Sequence, residues 1–299
     1  MTTSTPDSVV TPDSVATPVP RPRKRAFAGR VRWWTYAFLF ASVAVSAFPL
    51  YWMFVVSTND SAAVSQTPPT VVPGGNFFVL AEQVFTTVPF VQSLANSFIV
   101  AGSIAISQMI LCTLAGFAFA KLEFRGRDPL FIIVLITMMV PTQLAVIPLY
   151  MIMSNLEWID TLQALIVPGM ASAFGIFWMR QHLSTVLNNE LMQAARIDGC
   201  STWQIYWRIA FPLVRSAGFV LGLLAFVTAW NDFLWPLIVI QSPENYTVQL
   251  AIKALQRQYF VDYGLAMSGS FLATIPLLIL FIFVGRKMVA GVMDGAFKG

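Results

Sequence analysis

Long apolar stretches separated by short charged segments dominate the chain. A transmembrane helix needs about 20 mainly apolar residues, and stretches of that kind occur six times. The fourth is the weakest, because it is short and contains Pro168 and Gly169. The pattern predicts an all-α, polytopic membrane protein with six spans. They lie at about 33–56, 94–120, 130–153, 164–181, 215–240 and 264–285.

The composition supports this class. Of 299 residues, 57% are hydrophobic and 11% are charged, whereas soluble domains carry about 25% charged residues. The net charge of +4 does not indicate a nucleic-acid partner, because the basic residues lie beside the apolar stretches. Membrane lipid is the expected surrounding.

The basic residues also predict an orientation. With the N-terminus in the cytoplasm, all but two of the 18 Lys and Arg residues fall in cytoplasmic segments. The exceptions are Lys253 and Arg257. The positive-inside rule therefore predicts that both termini are cytoplasmic. The two larger external segments then lie at about 57–93 and 241–263.

The N-terminal residues differ from the rest. Residues 1–25 are rich in Thr, Pro and Ser, a composition that cannot bury a core and that predicts a disordered cytoplasmic tail. Residues 26–299 are expected to form the transmembrane domain. The apolar run Trp33–Val56 follows a basic stretch as in a signal peptide, but it exceeds the 7–15 residues of a signal core. We interpret it as an uncleaved first span.

Residues with catalytic or metal-binding chemistry are scarce. His182 is the single histidine, and Cys112 and Cys200 lie far apart, so we expect no metal site and no disulfide. His182 is interpreted as a polar residue at the membrane interface. The phosphate-loop pattern G-x-x-x-x-G-K-[ST] is missing. We therefore expect no catalytic residue, no bound cofactor and no ATP hydrolysis by this chain.

Several spans contain proline, which removes a helical hydrogen bond and tends to kink the helix. Two interpretations stay open: ordinary kinks in a bundle, or breaks that line a pathway. The prolines are Pro49, Pro141, Pro148, Pro168, Pro236 and Pro276.

The segment "LMQAARIDGCSTWQIYWRIAFPLV" at 191–214 is too charged to be a span. Asp198 and Gly199 predict the end of a first helix over 189–198. Ser201 and Gln204 have capping-box spacing and predict the start of a second, which Pro212 is expected to stop or bend. Trp203, Tyr206, Trp207, Ala210 and Phe211 recur on one helical face. The segment is either an interfacial amphipathic helix or a compact ledge that another protein contacts.

The spacing resembles a known signature. "QAARIDG", nine residues and then "IAFP" are similar to the pattern of ABC-importer permeases, which reads Glu-Ala-Ala, three residues, Gly, nine residues, Ile, any residue, Leu-Pro. Gln193 stands where the family carries Glu, and Phe211 where it carries Leu. The matching residues are Ala194, Ala195, Asp198, Gly199, Ile209 and Pro212.

Further resemblance covers about residues 33–299. "AWNDFLWPLIV" at 229–239 and "NYTVQLAI" at 245–252 look like sugar-importer permeases. The C-terminal "VAGVMDGAFKG" resembles the tail of the smaller maltose-transporter permease subunit.

The resemblance implies the type I ABC importer permease fold in a bacterial cell membrane. It implies a second permease subunit, two ATPase subunits that use ATP and Mg²⁺, and an extracytoplasmic solute-binding protein. Residues 189–212 would then be the coupling helices that contact an ATPase. The residues expected there are Glu190, Gln193, Ala194, Ala195, Asp198, Gly199, Trp203 and Pro212.

Two further groups are candidate sites. Trp230, Asn231, Asp232 and Trp235 are expected along the translocation pathway, since a charge in a span is costly and needs a partner or water. The alternative is a shallow Asp232 with tryptophans of the interfacial belt. In the external segment, contact with a binding protein is expected for Tyr246, Gln249, Gln256 and Tyr259. The alternative there is a solvated loop with a short surface helix.

We therefore expect a permease subunit of a binding-protein-dependent importer for a sugar or related solute. The same machinery for glycerol phosphate or another solute is an alternative. A secondary transporter would need midplane carboxylates and repeated halves, which the sequence does not display. A membrane enzyme would need a cluster of reactive side chains in the spans.

Overall fold

The computed structural model describes residues 33–61, 66–256 and 262–296, with the backbone alone at 284 and 286–296. It divides into two units, Met1–Ala47 and Phe48–Gly299. In the first unit, the described residues are helical, and the rings of Trp33 and Trp34 stack with centroids 4.0 Å apart. The second unit contains the cavity and the segment 189–212 discussed below. The predicted tail at 1–25, Tyr259 and the last three residues lie outside the described part.

Helices make up the described elements, joined by short turns. Their bounds, in chain order, are α1 Trp33–Ser57, α2 Phe77–Thr87, α3 Phe90–Lys121, α4 Arg127–Met139, a 3₁₀ turn Thr142–Ala145, α5 Val146–Asn155, α6 Leu162–Gly169, α7 Ala173–Val186, α8 Asn189–Ile197, α9 Thr202–Ile205, a π turn Tyr206–Ala210, α10 Phe211–Trp230, α11 Leu234–Val239, a 3₁₀ turn Pro243–Asn245, α12 Val248–Leu255 and α13 Tyr263–Ala296.

Five helical stretches among the described residues are long and apolar enough to cross a membrane, and a bent pair makes a sixth. The predicted all-α fold with six spans is thereby confirmed. The five stretches are Trp33–Ser57, Phe90–Lys121, Leu162–Val186, Thr202–Trp230 and Tyr263–Phe283.

The third span is not the continuous helix that the sequence predicts. Arg127–Met139 and Thr142–Asn155 meet at an angle of 98°. The cause lies at Pro141, which has no N–H group and restricts the residue before it to extended backbone. Val140 accordingly has φ −81° and ψ 122°.

The fifth span also differs from the prediction of 215–240, because its helix ends at Trp230. Pro236 lacks the N–H group that would bond to the carbonyl of Asp232, and its ring would clash with that carbonyl. The chain instead turns at 231–233 and starts the short helix α11 at Leu234. This break places Asp232 between two helices rather than inside one.

Pro212 does not stop the helix, which excludes one of the two predicted outcomes, a stop or a bend. Thr202–Trp230 forms one helical stretch whose backbone widens into the π turn Tyr206–Ala210. The N–H of Phe211 donates to the carbonyl of Tyr206, five residues earlier. The wider turn changes which carbonyl each N–H group bonds to. Because Pro212 has no N–H group to donate, this change lets the helix continue through the proline.

Helix α3 lies at the centre of the second unit and packs mainly against α10 and α7. Its Gly116 permits a close approach to α7, since a Cβ atom there would lie 2.8 Å from the backbone nitrogen of Arg180. At the end of the bundle near α9, Cys112, Phe117 and Leu183 are buried with Tyr206 in one apolar cluster. The segment 189–212, which we call the ledge, therefore shares an apolar core with the central helices.

Candidate functional site

Helix α8 ends in a well-formed Schellman motif. Gly199 has φ +80°, a conformation that glycine adopts without strain. The N–H of Gly199 donates to the carbonyl of Arg196 at 3.0 Å, and the N–H of Cys200 to that of Ala195 at 2.9 Å. Both bonds satisfy carbonyls that a helix end leaves free. The sequence-based prediction of a helix end at Asp198 and Gly199 matches this geometry.

The second helix begins with the predicted capping box. The N–H of Gln204 donates to the Ser201 hydroxyl at 3.3 Å, and the N–H of Ser201 donates to the Gln204 side-chain oxygen at 2.8 Å. The two short helices are therefore fixed on either side of the turn at 198–201. Lys121 Nζ, which donates to Asn189 Oδ1 at 3.2 Å, ties the start of α8 to the end of α3.

The two faces of α8 differ in burial. Met192 and Ala195 are buried against the apolar cluster, whereas Glu190, Gln193 and Ala194 are exposed. The expectation that another protein approaches both alanines is therefore corrected. Ala195 packs against its own bundle, and only Ala194 is open to a partner.

The predicted aromatic face of the segment forms one group of rings. Tyr206 is 1% exposed and packs on Phe117 of α3 with centroids 5.6 Å apart. Trp203 stacks on Tyr206 at 5.8 Å yet keeps 58% of its surface exposed. Because α9 runs on into α10, this segment is the end of a span rather than a separate interfacial helix. Exposed Asp198, Gly199 and Trp203 lie together on the ledge.

A cavity of about 770 Å³ lies between α3, the α6–α7 pair and α10, within the size range of small-molecule sites. Asp232 and Trp235, two of the four predicted pathway residues, line it. Asp232 is the only ionisable residue among the described residues of its wall. The carboxylate lies near the backbone N–H groups of the next three residues. Trp235 is held in place by its Nε1–H, which donates to the carbonyl of Ala164 at 2.9 Å.

The structure does not place the other two predicted residues in the cavity wall. The Trp230 side chain is 2% exposed and packs against Phe98 and Phe226, with centroids 4.8 and 5.7 Å away. Asn231 is exposed, and its amide donates to the carbonyl of Val227 at 2.8 Å. Trp230 is a core residue because a large apolar ring beside two phenylalanines is best removed from water.

A polar network at the break between α6 and α7 was not predicted. Gln108 of α3 donates to the carbonyl of Gly169 at 2.9 Å and pairs with the Ser172 hydroxyl at 3.0 Å. The same hydroxyl accepts the N–H of Gly175 at 3.1 Å and caps α7. Gln108, Gly169 and Ser172 all line the cavity, so these bonds tie the broken span to α3 at the cavity wall.

The described part of the external segment, 241–256, contains a short helix that packs one face against the bundle. Val248, Ala251 and Leu255 of α12 are buried in an apolar cluster. Gln249 donates to the carbonyl of Trp230 at 3.4 Å, and Gln256 accepts from Lys253 at 3.3 Å. The amide of Asn96 donates to the carbonyls of Glu244 and Tyr246, at 2.8 and 3.0 Å. Tyr246, Gln249 and Gln256 stay predictions for partner contact, with Gln256 the most exposed of the three.

Sequence reasoning also missed the best-connected carboxylate. Asp160, between α5 and α6, accepts the N–H groups of Gln241 and Ser242 at 2.9 Å each, and the Ser242 hydroxyl bonds to its second oxygen. Its backbone carbonyl accepts the Asn245 amide at 2.7 Å. Asp160 has φ +61°, which aspartate tolerates better than most residues. Burial raises the pKa of this carboxyl, but the hydrogen bonds from Ser242 and Gln241 outweigh it, so the pKa lies below its ordinary value.

Residues 112–291 match the family described as the binding-protein-dependent transport system inner membrane component. The chain belongs to this family. The match includes the ledge at 189–212, the cavity residues after Gly116 and most of α13. Family membership decides against the secondary-transporter alternative.

Relatives that align over most of their own length are named as permease proteins of transport systems, in agreement with the family match. The arabinooligosaccharides transport system permease protein AraQ of Halalkalibacterium halodurans is 30% identical, over 89% of this chain and 96% of its own. The lactose transport system permease protein LacG of Rhizobium radiobacter is 33% identical, over 86% and 93%. The sn-glycerol-3-phosphate transport system permease protein UgpE of Escherichia coli K12 is 31% identical, over 87% and 95%.

A solved structure has the same fold. It is described as a bacterial ABC transporter involved in the import of the acidic polysaccharide alginate, and one of its chains superposes with a TM-score of 0.74. The alignment covers 90% of this chain and 99% of that one, at 21% sequence identity. The type I permease fold of this family member is therefore established, as is its place among multi-pass membrane proteins.

Proposed function

We propose that this chain is one of two permease subunits in an ATP-driven importer for a sugar or a related polyol-based solute. The second permease completes the pathway, and two ATPase subunits hydrolyse ATP with Mg²⁺. A solute-binding protein delivers the solute from outside. Both termini lie in the cytoplasm, as the distribution of basic residues supports.

One observation carries this proposal: a single helical stretch, Thr202–Trp230, joins the exposed ledge to the cavity. Trp203, at one end, is exposed, while Thr228 and Ala229, near the other end, line the cavity. A partner that binds the ledge differently in two states shifts the balance between two arrangements of the cavity. ATPase closure is the source of that difference.

The solute has two candidate classes. AraQ and LacG are named for sugars, and UgpE for sn-glycerol 3-phosphate. We favour a sugar, with glycerol phosphate as the alternative.

The experiment is affinity purification of the tagged chain with its neighbours, followed by uptake measurements in proteoliposomes. We expect a second permease and an ATPase to copurify, and uptake to require ATP and the binding protein. Ala194→Trp, which places a bulky side chain on the open face of α8, is expected to release the ATPase while retaining the second permease. Gln83→Trp, on an exposed position of α2, is the matched control and should retain both. Uptake by this chain alone without ATP would contradict the proposal.

A further inference from the structure

We infer that the Asp232 end of the cavity is a selectivity subsite that binds hydroxyl groups of an uncharged solute and rejects anions. The inference rests on the proposed function, because it specifies which solute the pathway passes. A subsite of this kind distinguishes the two candidate solutes, a neutral sugar and the anion glycerol phosphate. The subsite consists of Asp232, Thr228 and Thr247, all in the cavity wall.

Thr247 supplies the observation that points to a ligand. It is only 4% exposed, and its hydroxyl has no hydrogen-bond partner within the described residues. A buried hydroxyl without a partner costs about 1–3 kcal/mol, so native structures rarely retain one without a reason.

The position of Thr247 makes the free hydroxyl more informative. Thr247 is the N-cap residue of α12, where a threonine hydroxyl usually accepts a backbone N–H. Here it makes no capping bond. The N–H of Val248 donates instead to the hydroxyl of Ser97, at 2.8 Å. A neighbour from α3 thus does part of the capping, and the Thr247 hydroxyl is left without a partner among the described residues, in the cavity wall.

Asp232 and Thr228 provide the other polar groups. Thr228 precedes Asp232 by four residues, near the end of α10, and also lies in the cavity wall. The Asp232 carboxylate has two oxygens with about four acceptor positions, more than the backbone N–H groups of the next three residues could occupy. A solute hydroxyl can therefore donate to Asp232, beside the two threonines of the cavity wall.

The remaining wall supports an uncharged solute. Gln108 and Ser172 direct their polar atoms at each other and at backbone groups. Trp235 and Phe174 add aromatic surface to the wall, on which the apolar faces of a sugar ring can pack. Since Asp232 is the only ionisable residue in the described wall, nothing there offsets the charge of a phosphate or carboxylate. An anion would meet a like charge in a partly apolar cavity.

Calorimetric titration of the purified importer in lipid nanodiscs, without the binding protein, tests the subsite directly. The neutral probes are lactose, arabinobiose and arabinotriose, and the anionic probes are lactobionate and sn-glycerol 3-phosphate. Lactobionate is the critical probe, because it resembles lactose in size and differs by one carboxylate. We expect at least one neutral sugar to bind more tightly than either anion.

Three variants assign the effect to residues. Thr247→Val should raise the Kd of the neutral sugar about fivefold, the size expected for one lost hydrogen bond. Asp232→Asn should lower the Kd of lactobionate about tenfold, as expected when repulsion between unit charges roughly 12 Å apart is removed. Thr274→Val is the matched control, because its hydroxyl bonds to the Ser270 carbonyl within α13 and lies away from the cavity. It should leave every Kd unchanged.

The inference is overturned if an anion binds better than every neutral sugar, if none of the neutral sugars binds, or if Thr247→Val binds them as the wild type does. Loss of folding is monitored by copurification of the ATPase, which each variant should retain. Uptake that still requires ATP and the partner subunits would leave the proposed function intact even if the subsite fails. The two proposals therefore fail separately.

Discussion

The ledge at 189–212 and the loop cluster around Asp160 differ in how their polar groups are used. In the loop cluster, the polar groups of Asp160, Ser242 and Asn245 are bonded to one another across about 80 residues of chain. On the ledge, capping is complete, yet Gln193, Asp198 and Trp203 remain exposed. One region uses its polar groups internally to fix loops, whereas the other keeps them available. The difference fits the proposed ATPase contact, which would use the ledge and not the cluster.

Removing Asp160 should have the largest effect. Asp160→Ala leaves the N–H groups of Gln241 and Ser242 without acceptors and places alanine at a positive φ, so we expect a loss of about 3 kcal/mol of unfolding free energy. Denaturant titration in mixed micelles measures it. Asp160→Asn, which keeps one acceptor and tolerates the backbone, should lose about half as much.

Asp128→Ala is the control for that experiment, since Asp128 pairs with Arg127 at an exposed site. An exposed ion pair contributes at most about 1 kcal/mol, so the loss should be much smaller. Equal losses at Asp128 and Asp160 would contradict the role of the cluster.

Gly199→Val should have the next largest effect. No atom lies within 4 Å of the position of an added Cβ, so the cost of about 2 kcal/mol comes from the left-handed backbone alone. We expect this variant to tilt α8 and to weaken ATPase copurification. Gly199→Asn should restore both, because asparagine accepts this conformation. If Val and Asn behave alike in both assays, the backbone explanation is wrong.

Acid should weaken the loop cluster and not the ledge. The pKa of Asp160 lies below its ordinary value in the folded protein, so its stabilising contribution is complete above the unfolded pKa of about 3.9. It is lost as the pH falls through the lower folded pKa. The difference in melting temperature between wild type and Asp160→Asn should therefore be constant from about pH 7 to about pH 5 and shrink below about pH 4. If the difference in melting temperature persists below about pH 4, the charge of Asp160 is not involved.

Gln193→Glu should have the smallest effect on stability, within about 0.5 kcal/mol, because the residue is exposed. It restores the residue that the family signature carries. If charge at 193 contributes to coupling, the variant changes ATP hydrolysis stimulated by the loaded binding protein. Unchanged hydrolysis and uptake would show that the glutamine is equivalent.

Much of the fold follows from local rules. Span length predicts six crossings, and the Gly199 end and the Ser201 capping box are both readable within five residues. The π turn before Pro212 was not predictable in that way, because proline alone indicates a stop, and the surrounding packing decides between stopping and widening. The break at 231–233 could have been inferred from Pro236, whose ring acts on the carbonyl four residues earlier.

The candidate site was less predictable, since it depends on contacts distant in sequence. Asp160 and Ser242 are separated by 82 positions, and no local spacing connects them. Trp230 and Trp235 look equivalent in sequence, yet only Trp235 lines the cavity. Their difference arises from Phe98 and Phe226, which surround Trp230. Thr247 carries a local signal, as a threonine before a helix, but that signal predicts a cap rather than a free hydroxyl.

The continuous stretch Thr202–Trp230 has a mechanical consequence. Its 29 residues, at 1.5 Å each, make an arm of about 43 Å. The π turn at Tyr206–Ala210 interrupts the regular α-helical hydrogen bonding of that arm close to its ledge end. A displacement of Trp203 therefore has a lever about 43 Å long to the cavity, with the irregular turn next to the point where the displacement begins.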